Sequence, residues 1–247
     1  MPTFSVITTI DESGNAHVRE TGETVANQRL PRGWSLQWVL QADDSARTAL
    51  DDVPDLAWIS KSVTRTSGVA EARTTALQRA DGVLTRVLDA DELFPDVATV
   101  ARDIEVLEAN RDLGWVLAPV LIRGRQLAGG SSTLPSGRLP SNSLLELLRD
   151  GTPPYPCMNA TIHTDLVVAH GGWPDLPSAE SIGLLVACEA VSDGWMQEEP
   201  GAVCRRHAEP PAIAPVKELE DEREAAIQVA LSRAEALRQL GWRWQPS

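Results

Sequence analysis

The sequence is poor in cysteine, and its three cysteines are widely spaced. Cys157, Cys188 and Cys204 form no CxxC pair, so neither a disulfide framework nor a structural zinc site is expected. The chain also lacks an apolar run of the roughly 20 residues that a membrane-spanning helix needs. Its first residues, Met1–Phe4, show neither the basic nor the apolar region of a signal peptide. We therefore expect a soluble, cytoplasmic protein without membrane insertion.

The sequence also has fewer basic than acidic residues. The 22 lysines and arginines are outnumbered by 35 aspartates and glutamates, which leaves a net charge of −13. Because a field of that sign repels polyanions, nucleic acid and anionic membrane surfaces are not expected as partners. Hydrophobic residues make up 43% of the 247 residues, which is ordinary for a chain with a packed core and argues against disorder.

Strand and helix patterns alternate along the chain. Residues 3–10 are rich in β-branched side chains and predict a buried strand. This alternation favours an α/β class, a single α/β/α sandwich with a mostly parallel central sheet. Further strands are predicted at residues 36–40, 56–60, 83–88 and 115–122, and helices at 17–27, 68–82, 96–110, 178–190 and 216–240.

The domain organisation is predicted from a proline-rich break near the C-terminus. Pro210–Pro215 interrupts the chain before an amphipathic helix. We assign residues 1–215 to one α/β domain and residues 216–247 to a helical extension that packs on it or mediates oligomerisation, so a homodimer is an open alternative. Residues 124–143 are rich in Gly, Ser and Pro and predict a long loop.

The most informative short motif is Asp89-Ala90-Asp91. In an extended segment residues i and i+2 point to the same side, so both carboxylates can face one ligand. They follow a predicted strand, and open α/β sheets bind ligands at the carboxyl ends of their strands. Paired carboxylates suit Mg²⁺ or Mn²⁺ beside phosphate oxygens. In a chain with 35 acids the same spacing also arises by chance, so a solvated loop end is the alternative.

A longer set of motifs resembles the family 2 glycosyltransferases. The resemblance covers about residues 3–210 and rests on the order of the motifs. It implies a GT-A fold and an inverting transfer from a nucleotide-sugar donor. The segments that carry it are Gly68–Gly82 with Ala72-Arg73, Val87–Asp96 with the Asp-Ala-Asp motif, Trp38–Ser45, His170–Trp173 and Arg205–His207.

The resemblance implies roles for residues of a donor site. Either Asp43 or Asp44 contacts the nucleobase, and the spacing does not decide between them. Arg73 lies near the nucleotide, and Asp89 faces the ribose. For Arg73 the simpler alternative is an exposed helix residue paired with an acid.

The resemblance also implies a metal site and a base. Asp91 coordinates a Mn²⁺ or Mg²⁺ ion that bridges the diphosphate, and His207 closes over it. Glu180 supplies the catalytic base. The simpler alternatives are a surface histidine and a favourable carboxylate at a helix start. The family commonly has Glu-Asp where this chain has Glu180-Ser181.

The function that follows is a metal-dependent, inverting glycosyltransferase with a DXD motif. The expected donor is a UDP-sugar, and the expected acceptor is a hydroxyl or amine of a soluble small molecule such as a natural-product scaffold. Two alternatives stay open. One is a nucleotidyltransferase, although Asp11–Gly14 lacks the basic residues of its phosphate loop. The other is a catalytically silent homologue, because Ser181 replaces an acid.

Overall fold

Strands and helices alternate in an α/β fold, as a computed structural model shows. The structure describes residues 1–12, 17–122, 134–150, 159–205 and 216–246. The strands are β1 (Thr3–Ile10), β2 (Ser35–Ala42), β3 (Ile59–Val63), β4 (Leu84–Val87), β5 (Glu92–Leu93), β6 (Leu113–Leu117), β7 (Val120–Ile122), β8 (Gly137–Arg138), β9 (Ala160–His163), β10 (Asp193–Met196) and β11 (Ala202–Cys204). The helices are α1 (Val18–Ala26), α2 (Val69–Leu77), α3 (Thr99–Ala109), α4 (Ser143–Arg149), α5 (Thr164–Ala169), α6 (Glu180–Val191) and α7 (Val216–Gln239), with a 3₁₀-helix at Asp44–Leu50.

The main sheet is mostly parallel, which confirms the predicted fold class. Within the described ranges its strand order is β3-β2-β1-β4-β9-β6-β10-β8. Strands β3, β2, β1 and β4 run parallel, as do β6 and β10, while β9 lies antiparallel between β4 and β6. A smaller sheet has the order β5-β11-β7.

Side chains of β1 alternate between two hydrophobic clusters. Phe4 and Val6 belong to the cluster that also contains apolar residues of α1 and α3. Ile7 belongs to the other cluster, with apolar residues of α2, α4, α6 and α7. Because successive strand residues face opposite sides, this alternation places helices on both faces of the sheet.

The C-terminal helix packs against α6. Ala226, Ala230 and Ala234, spaced one turn apart, lie in the same buried cluster as the apolar residues of α6. After the helix, the backbone N–H of Trp244 donates to Val191 O at 2.9 Å, and its indole N–H donates to Asp165 at 3.1 Å. The domain boundary at residue 215 stays a prediction. No helix in the described part of the chain has the length and hydropathy needed to cross a bilayer.

The predicted strand at 115–122 is wrong in its extent. The chain forms β6 and then β7, which belong to different sheets, and Pro119 lies between them. Proline has no N–H to donate to a ladder. The predicted loop 124–143 lies partly outside the described residues, and the part that is described contains β8 and the start of α4.

A buried polar network joins the two sheets. The Arg86 guanidinium on β4 donates to Asp103 of α3 at 2.5 Å and to Gly201 O at 2.9 Å. Asp103 also accepts from Thr161 of β9 at 2.5 Å and from Gln197 at 3.1 Å. Arg86 and Asp103 are each only 1% exposed, so neither has water to replace a lost partner.

We predict that Asp103→Asn lowers the free energy of unfolding by about 3 kcal/mol or more, because it removes the charge that compensates a buried guanidinium. Urea denaturation measures this loss. The matched control is Asp96→Asn, which weakens the exposed pair with Arg102 while an asparagine oxygen can still accept from the Ala98 N–H. That change is expected to cost less than about 1 kcal/mol. Equal losses in the two variants would contradict a structural role for the network.

Candidate active site

The carboxyl ends of parallel strands β1, β2 and β4 border a cavity of about 560 Å³. This edge of an open α/β sheet is where such folds bind ligands. The start of α2 forms a further wall. The lining residues come from the ends of β1 (Thr9–Glu12) and β2 (Asp43, Ser45), from the segment leading into α2 (Thr66–Val69, Ala72, Arg73) and from the end of β4 (Asp89–Asp91).

The motif Asp89-Ala90-Asp91 begins one residue after the end of β4, and both of its aspartates line the cavity. Leu88, just before it, is held in place, because its N–H donates to Ile7 O at 3.0 Å and its carbonyl accepts from Thr8 Oγ1 at 2.8 Å. The hydroxyl of Thr21 on α1 lies 2.7 Å from Ala90 O. The segment Leu88–Asp91 is therefore positioned by β1 on one side and by α1 on the other.

Arg73 connects Asp89 of this segment to the start of α6. Its Nη2 donates to Asp89 at 2.7 Å, and its Nη1 donates to Glu180 at 3.2 Å and to Ser181 Oγ at 2.8 Å. The residue is 1% exposed, so the exposed-helix alternative is wrong. Burial opposes its charge, but the Asp89 and Glu180 carboxylates outweigh that effect and raise the pKa of the guanidinium.

Glu180 is the first residue of α6, and its side chain is 13% exposed. It does not belong to the cavity lining; instead it faces Arg73, one guanidinium away from Asp89. Ser181, which stands where the related pattern has an acid, contacts the same guanidinium. The structure therefore brings Glu180 close to the Asp89 side of the site without exposing it to the cavity.

The two aspartates after β2 differ in their surroundings. Asp43 lines the cavity and accepts from Ser45 N at 3.0 Å and from Thr66 N at 3.0 Å, one on each oxygen. These hydrogen bonds, Thr66 first, lower the pKa of Asp43 well below its ordinary range. Asp44 is exposed, pairs with Arg47 at 2.7 Å and does not belong to the lining.

Glu92 is a further acid beside the Asp-Ala-Asp motif, and it does not belong to the set of site residues predicted from the sequence. Its side chain is 1% exposed, and it accepts from the Asp89 N–H at 3.2 Å. Burial, followed by the charges of Asp89 and Asp91, raises the pKa of Glu92 to about 8. The sequence offers one signal for it, since it directly follows the Asp-Ala-Asp motif.

The remaining predicted ligand, His207, lies outside the described residues. Among the residues that are described, no group of three or more His, Cys, Asp or Glu side chains is placed to hold a metal ion. The lining nevertheless contains five acids, and Arg73 is its single basic residue. Carboxylate oxygens of this kind suit Mg²⁺ or Mn²⁺, which commonly bind one or two carboxylates and complete their coordination with substrate phosphates.

A glycine turn at His170–Trp173, one of the segments that carry the resemblance, contacts α2 on the side away from the cavity. The Trp173 N–H donates to Thr74 Oγ1 at 3.1 Å, one residue from Arg73. Gly172 has a φ of +86°, and a Cβ there would lie 2.6 Å from Thr74 Oγ1. Only glycine therefore fits both the backbone conformation and the close approach.

Solved structures with the same arrangement of strands and helices include TarS from Staphylococcus aureus. Its residues 1–349, in complex with UDP-GlcNAc, superpose with a TM-score of 0.68 at 18% identity, covering 98% of this chain and 74% of that chain. The chain has the GT-A fold. No protein-family model matches the sequence, and no curated protein sequence matches it either.

Two other structures share the GT-A fold with this chain. The mannosyltransferase PcManGT from Pyrobaculum calidifontis, in complex with GDP-Man and Mn²⁺, has a TM-score of 0.58 at 19% identity, covering 95% of this chain and 73% of that one. Glucosyl-3-phosphoglycerate synthase from Mycobacterium tuberculosis, in complex with Mn²⁺, UDP and phosphoglyceric acid, has a TM-score of 0.58 at 17% identity, covering 94% and 78%. At these identities the similarity establishes the fold.

We predict that Arg73→Met destabilises this GT-A domain by about 3 kcal/mol, because it leaves the Asp89 and Glu180 carboxylates without the cation between them. Arg47→Met is the control, since it breaks an exposed pair with Asp44 that is worth less than about 1 kcal/mol. Chemical denaturation of both variants measures the difference. An Arg73 variant as stable as the control would show that the two carboxylates do not depend on the guanidinium.

Proposed function

We propose that the chain is a glycosyltransferase that moves a sugar from a nucleoside-diphosphate donor, a UDP-sugar by expectation, to a soluble small-molecule acceptor. The observation that carries this proposal is the placement of Asp89 and Asp91 together at the carboxyl end of β4, in a cavity of the GT-A fold. Cytoplasmic location and homodimer formation remain predictions from the sequence.

The charge of the cavity supports a divalent cation. Five lining residues are acids and one is basic, and that one, Arg73, already contacts Asp89 and Glu180. A diphosphate would therefore meet net repulsion unless a cation accompanied it. Asp91, with His207 as a second candidate ligand, would hold Mn²⁺ or Mg²⁺, which when bound stabilises charge on the departing diphosphate.

Two further residues of the chain would act on the donor and on the acceptor. Asp89, oriented by Arg73, would face the ribose side of the donor. Glu180 is the candidate base for the acceptor hydroxyl, which needs a positioned proton acceptor at neutral pH. Glu180 would take the proton while the acceptor oxygen attacks the anomeric carbon on the face opposite the diphosphate; the bond from that carbon to the diphosphate oxygen breaks, and the configuration is inverted.

A catalytically silent, donor-binding protein is the second candidate. The observation that favours it is the contact of Arg73 with both Glu180 and Ser181, because a carboxylate bound to a guanidinium outside the cavity lining is less available to an acceptor. Both candidate functions predict that the protein binds the donor, but only the glycosyltransferase predicts turnover.

We predict that UDP stabilises the protein only when Mn²⁺ or Mg²⁺ is present, by about 2.7 kcal/mol at 100 times its dissociation constant. Asp91→Asn is expected to abolish this stabilisation, because it removes a ligand charge from the cation. Thermal unfolding with and without metal measures both. Asp96→Asn, an exposed position paired with Arg102, is the control and should keep the full shift. A shift that needs no metal would contradict the role of Asp91.

We predict that Glu180→Gln lowers the rate of sugar transfer by about 100-fold or more, because the acceptor loses its base, while UDP affinity changes little. The assay is UDP release from a panel of UDP-sugars with a panel of alcohol and amine acceptors. Ser181→Ala is the control, since it keeps the carboxylate of Glu180. Wild-type protein that binds UDP and Mn²⁺ but releases no UDP with any acceptor would favour the silent protein.

A further inference from the structure

Helix α7 carries a stripe of exposed apolar and small side chains on a face that does not pack on the body of the protein. Val229 is 55% exposed, and Leu240, directly after the helix, is 78% exposed. The members of the stripe recur every three or four residues, which is the spacing at which two helices pack side by side. We call these residues the outer stripe: Ala225, Val229, Ser232, Ala236 and Leu240.

The first part of α7 whose side chains are described extends beyond the body of the protein. Residues 221–225 are all exposed. Because five consecutive residues make more than one helical turn, this stretch meets solvent on every side. A helical turn of this kind gains nothing from burial on its own domain, and helices without tertiary packing are marginal in water. The stretch is therefore accessible to a second molecule along the same face as the outer stripe.

The two ends of α7 differ in the sign of their charge. Residues 221–224 contain three acids and one arginine, whereas residues 233–243 contain three arginines and one glutamate. That glutamate, Glu235, already pairs with Arg149. Because the whole chain has a net charge of −13, two copies repel each other unless their contact brings unlike charges together. Antiparallel pairing of two α7 helices does so at both ends, whereas parallel pairing places like charges side by side.

We propose that the outer stripe is the contact surface of a homodimer, in which α7 packs antiparallel against α7 of a second copy. A two-fold axis makes one surface complementary to itself. With that axis beside Ser232, Asp221 of each copy lies opposite Arg243 of the other. The extended stretch of each helix then covers the apolar end of its partner, where Leu240 is exposed and Trp242 is 43% exposed. The inference concerns a surface outside the donor cavity and does not rest on the proposed function.

The first test is the mass of the full chain in solution, measured by sedimentation equilibrium over a range of protein concentrations. Wild-type protein is expected to form a dimer of the 26.7 kDa chain. Val229→Glu/Leu240→Glu is expected to weaken that dimer by about tenfold or more, because it brings like charges together in an apolar contact. Leu56→Glu/Val97→Glu is the matched control, since it adds the same charges at exposed apolar positions elsewhere, and it should dimerise like the wild type.

The second test is cysteine cross-linking, which reports the orientation of the two helices. Under an added oxidant, Ser232→Cys is expected to form a disulfide between two copies, because antiparallel pairing places residue 232 of both copies at the axis. Gln239→Cys alone should not cross-link, whereas a mixture of Gln239→Cys with Ala225→Cys should. Wild-type protein controls for the natural cysteines, and Thr48→Cys controls for random collision at an exposed position.

Three outcomes would overturn the inference. The first is a wild-type protein that stays monomeric at every concentration. The second is a dimer that Val229→Glu/Leu240→Glu leaves intact, since its interface would then lie on another face. The third is Gln239→Cys that cross-links to itself as readily as Ser232→Cys, which indicates parallel helices. All of these measurements are made without nucleotide, metal or acceptor, so a negative result here leaves the proposed function unaffected.

Discussion

The contact of Arg73 with Asp89, Glu180 and Ser181 is the interaction on which the geometry of the site depends. It joins the end of β4 to the start of α6, two points that are 91 residues apart in the sequence (180 − 89). A buried guanidinium between two carboxylates compensates charges that would otherwise repel each other across the site. It also means that the donor side and the base side of the proposed reaction share one positioning group.

The cavity combines negative charge with polar groups of fixed direction. Its acids outnumber its single basic residue, so a cation suits it better than a free anion. Near Asp43 the hydroxyl hydrogens are directed into the protein. Such a surface favours ligands that offer hydrogen-bond donors, because acceptors left unpaired in a partly buried site cost free energy.

Local patterns in the sequence predicted the elements that hold the site. The β-branched residues of β1, the helix at α2 and the acidic motif after β4 all depend on neighbours in the chain, and the structure has each of them. Their order predicted an α/β class with a mostly parallel sheet, and the GT-A fold was what the resemblance to family 2 glycosyltransferases implied. The break at Pro119 was missed because the strand pattern continues across it, although the two halves join different sheets.

What the sequence could not predict depends on distant partners. Arg73 resembles an exposed helix residue until Glu180 is placed beside it, and Asp43 is distinguished from Asp44 by Thr66, 23 residues later. Helix α4 was missed for the same reason. Its first N–H groups, at Leu144 and Leu145, are capped by Glu189 from α6, a contact between residues more than 40 positions apart.

The glycine turn before α6 has a consequence for how this site can diverge. Gly172 leaves no room for a side chain beside Thr74, and Thr74 adjoins Arg73 on the same helix. Any bulkier residue at 172 would press on α2 from behind and shift the guanidinium away from its partners. A substitution at Gly172 would therefore also disturb the contacts that Arg73 makes on the other side of α2. The amino acids tolerated at the turn thus depend on those contacts.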